Sequence, residues 1–252
     1  MKMQQRRQLM VDTVNELGSI SLGELKKRFP DVSEMTLRRD LEALDSERRI
    51  IRIHGGAKSV DVVIGTDDLF AKRILRNAGA KKRIAEKAAA LIKPNISIFL
   101  DSGTTATELA GLLPDIPYLL FTNNITCTAE LCRLTKPEIY VIGGHLNAYS
   151  HSTNGTQAVS SLENLNFDIA FLGTTGYMSG CGFTCGSVED SMLKREVIQH
   201  SEKVVMLMDS RKVGLTYTFT TARLREVDVV VTDDDVSDAL RSELQQAGVE
   251  LL

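Results

Sequence analysis

The 252-residue sequence predicts an α/β protein in two parts: a small helical unit closed by a hairpin, then a larger domain built on a mostly parallel sheet. Three observations predict it. Near the N-terminus, two short amphipathic stretches are separated only by a Pro-Asp-Val turn. Beyond residue 95, apolar runs alternate with amphipathic stretches, the pattern of parallel strands joined by helices. The first of those runs ends in Asp101-Ser102-Gly103-Thr104-Thr105, which turns from strand straight into helix.

In the first part, Met10, Val14 and Leu17 form an apolar stripe that ends at Gly18, a residue suited to a helix C-cap. Ser21 and Glu24 have capping-box spacing, and Leu22, Leu25 and Phe29 supply a buried face before Pro30 stops the helix. Ser33 is the next N-cap, with Glu34 at the positive end of the helix dipole. Leu37, Leu41 and Leu44 fall at i, i+4 and i+7, so this helix buries one stripe. Its opposite face carries Met35 and Arg39, flanked by Thr36 and Arg38. Two short helices joined by a tight turn form a helix-turn-helix, whose second helix is shaped to enter a major groove. The following run, Arg48 to Ala57, suits a short hairpin: isoleucines for a strand, Gly55-Gly56 for a sharp turn or close backbone approach. Residues 1–57 thus read as a winged helix-turn-helix domain. Its candidate DNA-binding residues are Ser33, Met35, Thr36, Arg38 and Arg39 on the helix, with Arg49, Arg52 and His54 near phosphates.

Charge is consistent with that assignment. Residues 1–57 hold 11 basic against 9 acidic side chains, while the remainder holds 19 against 24. A surplus of two is small for a nucleic-acid footprint, because phosphate affinity scales with the number of contacts. Placement carries more weight: Arg6, Arg7, Arg38, Arg39, Arg48, Arg49 and Arg52 bracket the predicted helix. A hydrophobic content of 43% is that of a soluble globular protein, and no apolar run is long enough to cross a bilayer. With no basic-then-apolar leader and only Cys127, Cys132, Cys181 and Cys185, a reduced, cytoplasmic protein without membrane attachment is expected. His54, His145, His151 and His200 lack metal-ligand spacing, so neither a metal nor a cofactor is expected.

Residues 58–78 lack a sustained period and read as a linker with some local structure; residues 79–252 form the second domain. A helix is expected over Lys81–Ile92. Buried strands follow at Ile96–Asp101, Tyr118–Asn123, Glu138–Gly143, Asp168–Gly173, Val204–Asp209 and Val227–Thr232. Helices are expected at Thr105–Leu113, Ile125–Leu134, Thr156–Leu165, Val188–His200 and Val236–Ala247. Ligands of such sheets sit at the carboxyl ends of strands. At Ser102–Thr105, three hydroxyls and the free amides of a helix N-terminus converge, which fits either an anion site or an ordinary capped turn. The glycines match neither a Walker loop nor a dinucleotide fingerprint. In the loop containing His145 and His151, polar residues could line the mouth of a pocket, with a solvated loop as the default expectation. Tyr177 to Ser187 reads as either a mobile flap or a flexible turn.

The run Ser33 to Leu41, S-x-x-T-L-R-R-D-L, followed by a basic stretch and His54-Gly55-Gly56-Ala57, resembles the DeoR family of bacterial transcriptional regulators. The resemblance implies a C-terminal sensor domain similar to ribose-5-phosphate isomerase that binds phosphorylated sugars. Its D-x-G-T-T phosphate loop matches Asp101, Gly103, Thr104 and Thr105; its G-G matches Gly143-Gly144; its D-x-S/R-K-x-G run matches Asp209, Lys212 and Gly214. Lys212 would then be a point charge near the ligand, although by spacing alone it is a surface lysine after a strand. The candidate effector residues are Asp101, Ser102, Gly103, Thr104, Thr105, Asn123, Gly143, Gly144, Glu189 and Lys212.

The same resemblance raises catalysis as a question. The isomerase's R-E-K segment resembles Arg195-Glu196-Val197, which puts Glu196 at its proton-shuttling position. Its acid-rich turn corresponds to Leu172–Gly176, where no carboxylate remains. Glu189 and Asp190 could compensate in part. Binding without turnover, and no catalytic residue, is the expectation: a repressor of a carbohydrate operon, acting on operator DNA as a homodimer or homotetramer under control of a sugar phosphate. The alternatives are an isomerase-like enzyme with an accessory N-terminal domain, and an architectural DNA-binding protein.

Overall fold

A computed structural model describes residues 3–17, 19–47, 49–53, 55–59 and 70–252. The chain divides into two compact units, residues 1–67 and 68–252. Gly18, Arg48, His54 and most of the expected linker lie outside the described residues.

The smaller unit contains α1 (Met3–Leu17), β1 (Ser19–Ser21), α2 (Leu22–Arg28), α3 (Glu34–Ser46), β2 (Ile51–Ile53) and β3 (Gly56–Lys58). Its strands form an antiparallel sheet in the order β1-β3-β2, the last two being the wing hairpin. The capping box at α2 is complete: Glu24 N donates to Ser21 Oγ (3.2 Å), and Ser21 N donates to Glu24 Oε2 (2.9 Å). The three leucines of α3 are buried against Met10, Val14, Leu25 and Ile50. At ~1.5–3 kcal/mol for each buried leucine, that stripe fixes which face of α3 turns outward.

The larger unit opens with α4 (Phe70–Leu75) and α5 (Ala78–Ala89). The expected helix thus starts three residues earlier than Lys81, at Ala78 behind left-handed Asn77 (φ 53°), and ends at Ala89; an additional short helix precedes it. Then come β4 (Ser97–Leu100), α6 (Thr104–Leu112), β5 (Leu119–Thr122), α7 (Ile125–Leu131), β6 (Glu138–Val141), β7 (His145–Asn147), β8 (Ser152–Asn154) and α8 (Thr156–Ser160). The remainder is β9 (Ile169–Gly173), β10 (Gly176–Met178), β11 (Gly182–Cys185), α9 (Val188–Gln199), β12 (Val204–Leu207), β13 (Phe219–Ala222), β14 (Val229–Val231), α10 (Asp238–Gln246) and β15 (Glu250–Leu251).

A parallel seven-stranded sheet runs β15-β14-β12-β9-β4-β5-β6. Strand alternation splits its side chains between two cores. Ile98, Leu100 and Phe171 pack with α5, α6 and α7; Phe99, Leu172 and Met206 pack on the face covered by α8, α9 and α10. From β4 the chain builds outward through β5 and β6, then returns to place β9 on β4's other side. The order therefore reverses between β4 and β9, the place where such sheets leave a crevice at the carboxyl ends.

Two expectations about loops are corrected, the second in part. Tyr177–Ser187 is neither flap nor loose turn: β10 and β11 pair with β13 in a second, antiparallel sheet, with Tyr177 and Phe183 fully buried. The loop with His145 and His151 is the β7–β8 hairpin: residues 145–151 are exposed or half-buried, as a solvated loop requires, but Ser152, Thr153 and Asn154 are buried. Their polar character hid them, because their backbone and side-chain groups are satisfied by hydrogen bonds that sequence does not display.

Candidate nucleic-acid interface and candidate anion site

On α3, Ser33 Oγ accepts the amide of Thr36 (3.1 Å) and lies 2.8 Å from Thr36 Oγ1, so the helix starts under a well-made cap. Met35 is 65% exposed, Arg38 and Arg39 are exposed beside it, and Thr36 is half-buried. Neither arginine makes an ion pair among the described residues, which leaves both guanidiniums for an outside acceptor. Arg49 and Arg52 are engaged instead: Arg49 donates to Gln8 Oε1 (2.6 Å), and Arg52 pairs with Glu42 (3.3 Å). Gly55 (φ 81°) turns the wing, while a Cβ on Gly56 would lie 2.1 Å from the Ile20 carbonyl oxygen. The two glycines therefore serve the turn and the close approach respectively.

Arg6 and Arg7, which the sequence placed among the bracketing cations, do something else. Arg6 Nε and Arg7 Nε donate to the two carboxylate oxygens of buried Asp40, at 2.6 and 2.9 Å. Asp40 belongs to α3, so this fork fastens the exposed helix to α1. A legible signal existed: Asp40 stands three residues after Leu37 on the buried stripe, where an acid needs a cationic partner.

In the larger unit, Asp101 is fully buried just beyond β4. Its Oδ2 accepts the amide of Gly173 (2.8 Å) at the end of β9, closing the switch point from beneath. Lys194 Nζ, from α9, lies 3.3 Å from the same oxygen and 2.7 Å from Asp190 Oδ2. Burial raises the Asp101 pKa from 3.8 to about 6, the Lys194 charge pulling it down and Asp190 pushing it up. Burial opposes the charge on Lys194, but Asp101 and Asp190 outweigh it and hold its pKa above the ordinary range. The ammonium therefore offsets two carboxylates behind the turn.

Above this cluster, Gly103 (φ 122°) starts α6 with no side-chain cap, and the space where its Cβ would stand is open. Ser102, Thr104 and Thr105 are almost buried around it. An uncapped helix start beside open space, with hydroxyls close by, is suited to an anion. Next along the edge, Asn123 donates to the Thr153 carbonyl (3.1 Å). Asp101 Oδ1, Asn123 Oδ1 and Asn124 Nδ2 are buried and have no hydrogen-bond partner among the described residues. Two acceptors and a donor of that kind match the hydroxyls of a polyol. Gly144 (φ 147°) admits no side chain, since a Cβ there would meet Asn154 O at 2.6 Å; Gly143 is exposed. On the other flank Lys212 Nζ donates to Thr174 O (2.6 Å), next to Gly173, and lies 3.7 Å from Asp209 Oδ2.

Not every candidate joins this edge. Glu189 is exposed and its carboxylate accepts from Ser187 Oγ (2.9 Å); the acid of that turn which meets the buried cluster is Asp190. Glu196 lies 3.2 Å from His200 Nε2, one turn along α9, so it is Lys194 and not Glu196 that this helix directs at Asp101. Lys194 escaped the sequence reading because nothing local marks one lysine of a charged helix as buried. Among the described residues no group of three or more His, Cys, Asp or Glu could hold a metal ion, and no helix is long and apolar enough to cross a membrane.

A helix-turn-helix with a wing, carried on one chain with a parallel α/β domain, defines a two-unit DNA-binding regulator. Residues 6–63 match the DeoR-like helix-turn-helix domain and residues 76–234 the DeoR C terminal sensor domain. The uncharacterized HTH-type transcriptional regulator YulB of Bacillus subtilis is 33% identical over 98% of this chain and 95% of its own. The HTH-type transcriptional repressor GlcR of the same organism is 33% identical over 88% of this chain and 85% of its own. The putative aga operon transcriptional repressor of Escherichia coli O157:H7 is 28% identical over 98% and 93%. Among solved structures, ribose 5-phosphate isomerase A from Methanocaldococcus jannaschii is 17% identical over 53% of each chain, with a TM-score of 0.39. The chain belongs to the DeoR family of transcriptional regulators. That membership makes it a DNA-binding regulator rather than an enzyme.

Proposed function

We propose that the protein represses a carbohydrate-catabolic operon, and that a phosphorylated sugar bound at the carboxyl edge of the large sheet modulates its grip on operator DNA. The observation that carries the effector is the uncapped start of α6 at Gly103, beside three buried, unpartnered polar atoms. One feature suits a phosphate, the other suits sugar hydroxyls. Ser102, Gly103, Thr104 and Thr105 hold the phosphate and Lys212 adds a point charge, while Asp101 and Asn123 meet hydroxyls and Gly143-Gly144 lets the backbone close in. Asp101 can stand so near an anion because Lys194 already balances it. The repressor reading is supported by the names of GlcR and the aga operon regulator, which are relatives of this chain.

On DNA, Met35, Thr36, Arg38 and Arg39 meet base edges and nearby phosphates under the Ser33 cap. Arg49, Arg52 and His54 approach phosphates, Arg52 exchanging Glu42 for one. Residues 1–57 act as the reader, 58–78 as the connection and 79–252 as the sensor, in a homodimer or homotetramer whose paired readers match paired half-sites.

A thermal-shift screen of phosphorylated sugars tests the effector, since a ligand of the native state must stabilise it. A rise in Tm with one sugar phosphate, absent with its unphosphorylated parent and reduced in Lys212→Ala, is expected. No rise with any member of the panel removes the sensing role.

A further inference from the structure

The crevice of the larger unit has a neighbour in α4, which the reading above treats only as part of the connection. This six-residue helix is the first described element of the larger unit, so the backbone arriving from residue 59 passes through it. It is held at both ends. At its start, the buried Phe70 ring stacks on His151, centroids 4.5 Å apart. His151 sits at the β7–β8 turn, and its carbonyl accepts the amide of Ile125 (2.9 Å), just past β5. At its end, Lys81 Nζ, buried at the first turn of α5, donates to the carbonyls of Arg73, Ile74 and Arg76. Asn77, the left-handed residue between the helices, donates to Asp209 Oδ1 (3.0 Å), just past β12.

Asp209 follows β12, and Ile125, whose amide holds His151, follows β5; those strands stand three places apart in the order β12-β9-β4-β5. Neighbouring strands are about 4.8 Å apart, so the anchors are separated by roughly 14 Å. A helix of this length spans about 9 Å, and the Phe70 ring and Asn77 make up the rest. The helix therefore crosses the carboxyl ends of β9 and β4, where Gly173 and Asp101 meet, and it lies against α6.

We propose that α4 is a strap across this crevice, latched by Lys81 and Asn77, and that an anion bound in the crevice tightens it. The tightening rests on the effector reading given above; the latch does not. Its electrostatic basis is the neighbourhood of Lys81. Burial, and after it the nearby charge of Lys212, lowers the Lys81 pKa to about 8, with Asp209 acting in the opposite direction. Two ammonium groups repel each other, so an anion beside Lys212 offsets that repulsion and favours the closed position, in which the Lys81 ammonium donates to all three carbonyls. Lys81 and Asn77 are thus positioning residues, acting on the crevice through α4.

Hydrogen exchange of the full chain, read over residues 70–77 by mass spectrometry, tests the proposal. Without ligand, Lys81→Gln is expected to speed α4 exchange by about tenfold while α9 and the sheet are unchanged. Asn77→Gly keeps the positive φ without strain and removes only the bond to Asp209; it is expected to loosen α4 to a smaller degree. If neither variant changes α4 exchange, the latch is wrong. The probes for tightening are inorganic phosphate and glucose 6-phosphate. Whichever raises Tm is expected to slow α4 exchange by about fivefold in the natural sequence and not in Lys81→Gln. A Tm rise with α4 exchange unaltered overturns the strap while leaving the effector site standing. Absence of any Tm rise counts against the effector reading, and the ligand-free comparison still decides the latch.

Discussion

Lys194 Nζ stands 3.3 Å from Asp101 Oδ2, and both residues are buried beneath the turn that starts α6. This contact joins α9 to the end of β4, and through Gly173 to the end of β9. The conformation of the Ser102–Thr105 turn is therefore set partly by a lysine from a different helix.

Removing one partner of such a pair leaves the other charge buried without compensation. Lys194→Met is expected to destabilise the larger unit by about 3–5 kcal/mol, because Asp101 and Asp190 lose their common cation. Urea unfolding followed by a probe in this unit measures it. Adding Asp101→Asn should recover part of the loss, and a single-variant cost under about 1 kcal/mol would falsify the coupling.

The raised Asp101 pKa carries a sign. Its folded value, about 6, lies above the ordinary 3.8, so the native state holds this proton more tightly than the unfolded chain does. The resulting stabilisation is full below the unfolded pKa and is lost as pH rises through about 6. The Tm of the natural protein should therefore fall relative to that of Asp101→Asn between pH 4 and pH 6.5. A constant difference across that range would mean that the carboxyl titrates normally.

Arg39 is exposed on the outward face of α3 and makes no ion pair among the described residues. Arg39→Ala should weaken binding to a duplex selected from a random pool by about 1–3 kcal/mol, the range of a bidentate guanine contact. Arg52→Ala, which removes a side chain already paired with Glu42, should cost less and mainly reduce the salt dependence. Fluorescence anisotropy at two salt concentrations separates the two effects; equal losses at equal slopes would contradict the division of roles.

Asp40→Ala leaves Arg6 at the α1–α3 contact without its carboxylate and Arg7 with only the exposed Glu47, 3.6 Å away. A loss of about 2–4 kcal/mol in the smaller unit is expected, at the lower side of buried pairs because both guanidiniums are partly exposed. DNA affinity should fall with it, although Asp40 is buried and out of reach of an outside partner. Circular dichroism melting of the smaller unit's helices, set beside the binding assay, checks both. Retained stability with lost binding would place Asp40 at the DNA instead.

The two halves of the candidate machinery differed in how far they could be read beforehand. The cap at Ser33, the leucine stripe of α3, the capping box at Ser21 and Glu24 and the strand-to-helix turn at Gly103 all lie within one or two turns of backbone. Periodicity and capping chemistry therefore expose them. The Arg6–Asp40 contact spans 34 residues and the Gly173–Asp101 bond 72; the leucine stripe marks Asp40 as buried without naming its partner, and no local pattern announces the second. The β7–β8 hairpin and the β10–β11–β13 sheet were missed for a related reason. Their strands are short and mixed in polarity, and they hold together by pairing across the chain.

By itself the sequence determined the main helices and the central parallel strands, which face of α3 looks outward, and the glycine and hydroxyl turn after β4, because each follows from backbone sterics and side-chain spacing at short range. Only the tertiary structure decided which charges are spent internally, on Asp40 and on Asp101, and which remain for a partner. It alone stacked Phe70 of α4 on His151 and joined Asn77 to Asp209. The physical reason is that burial and ion pairing belong to neighbours in space, and the fold chooses those neighbours.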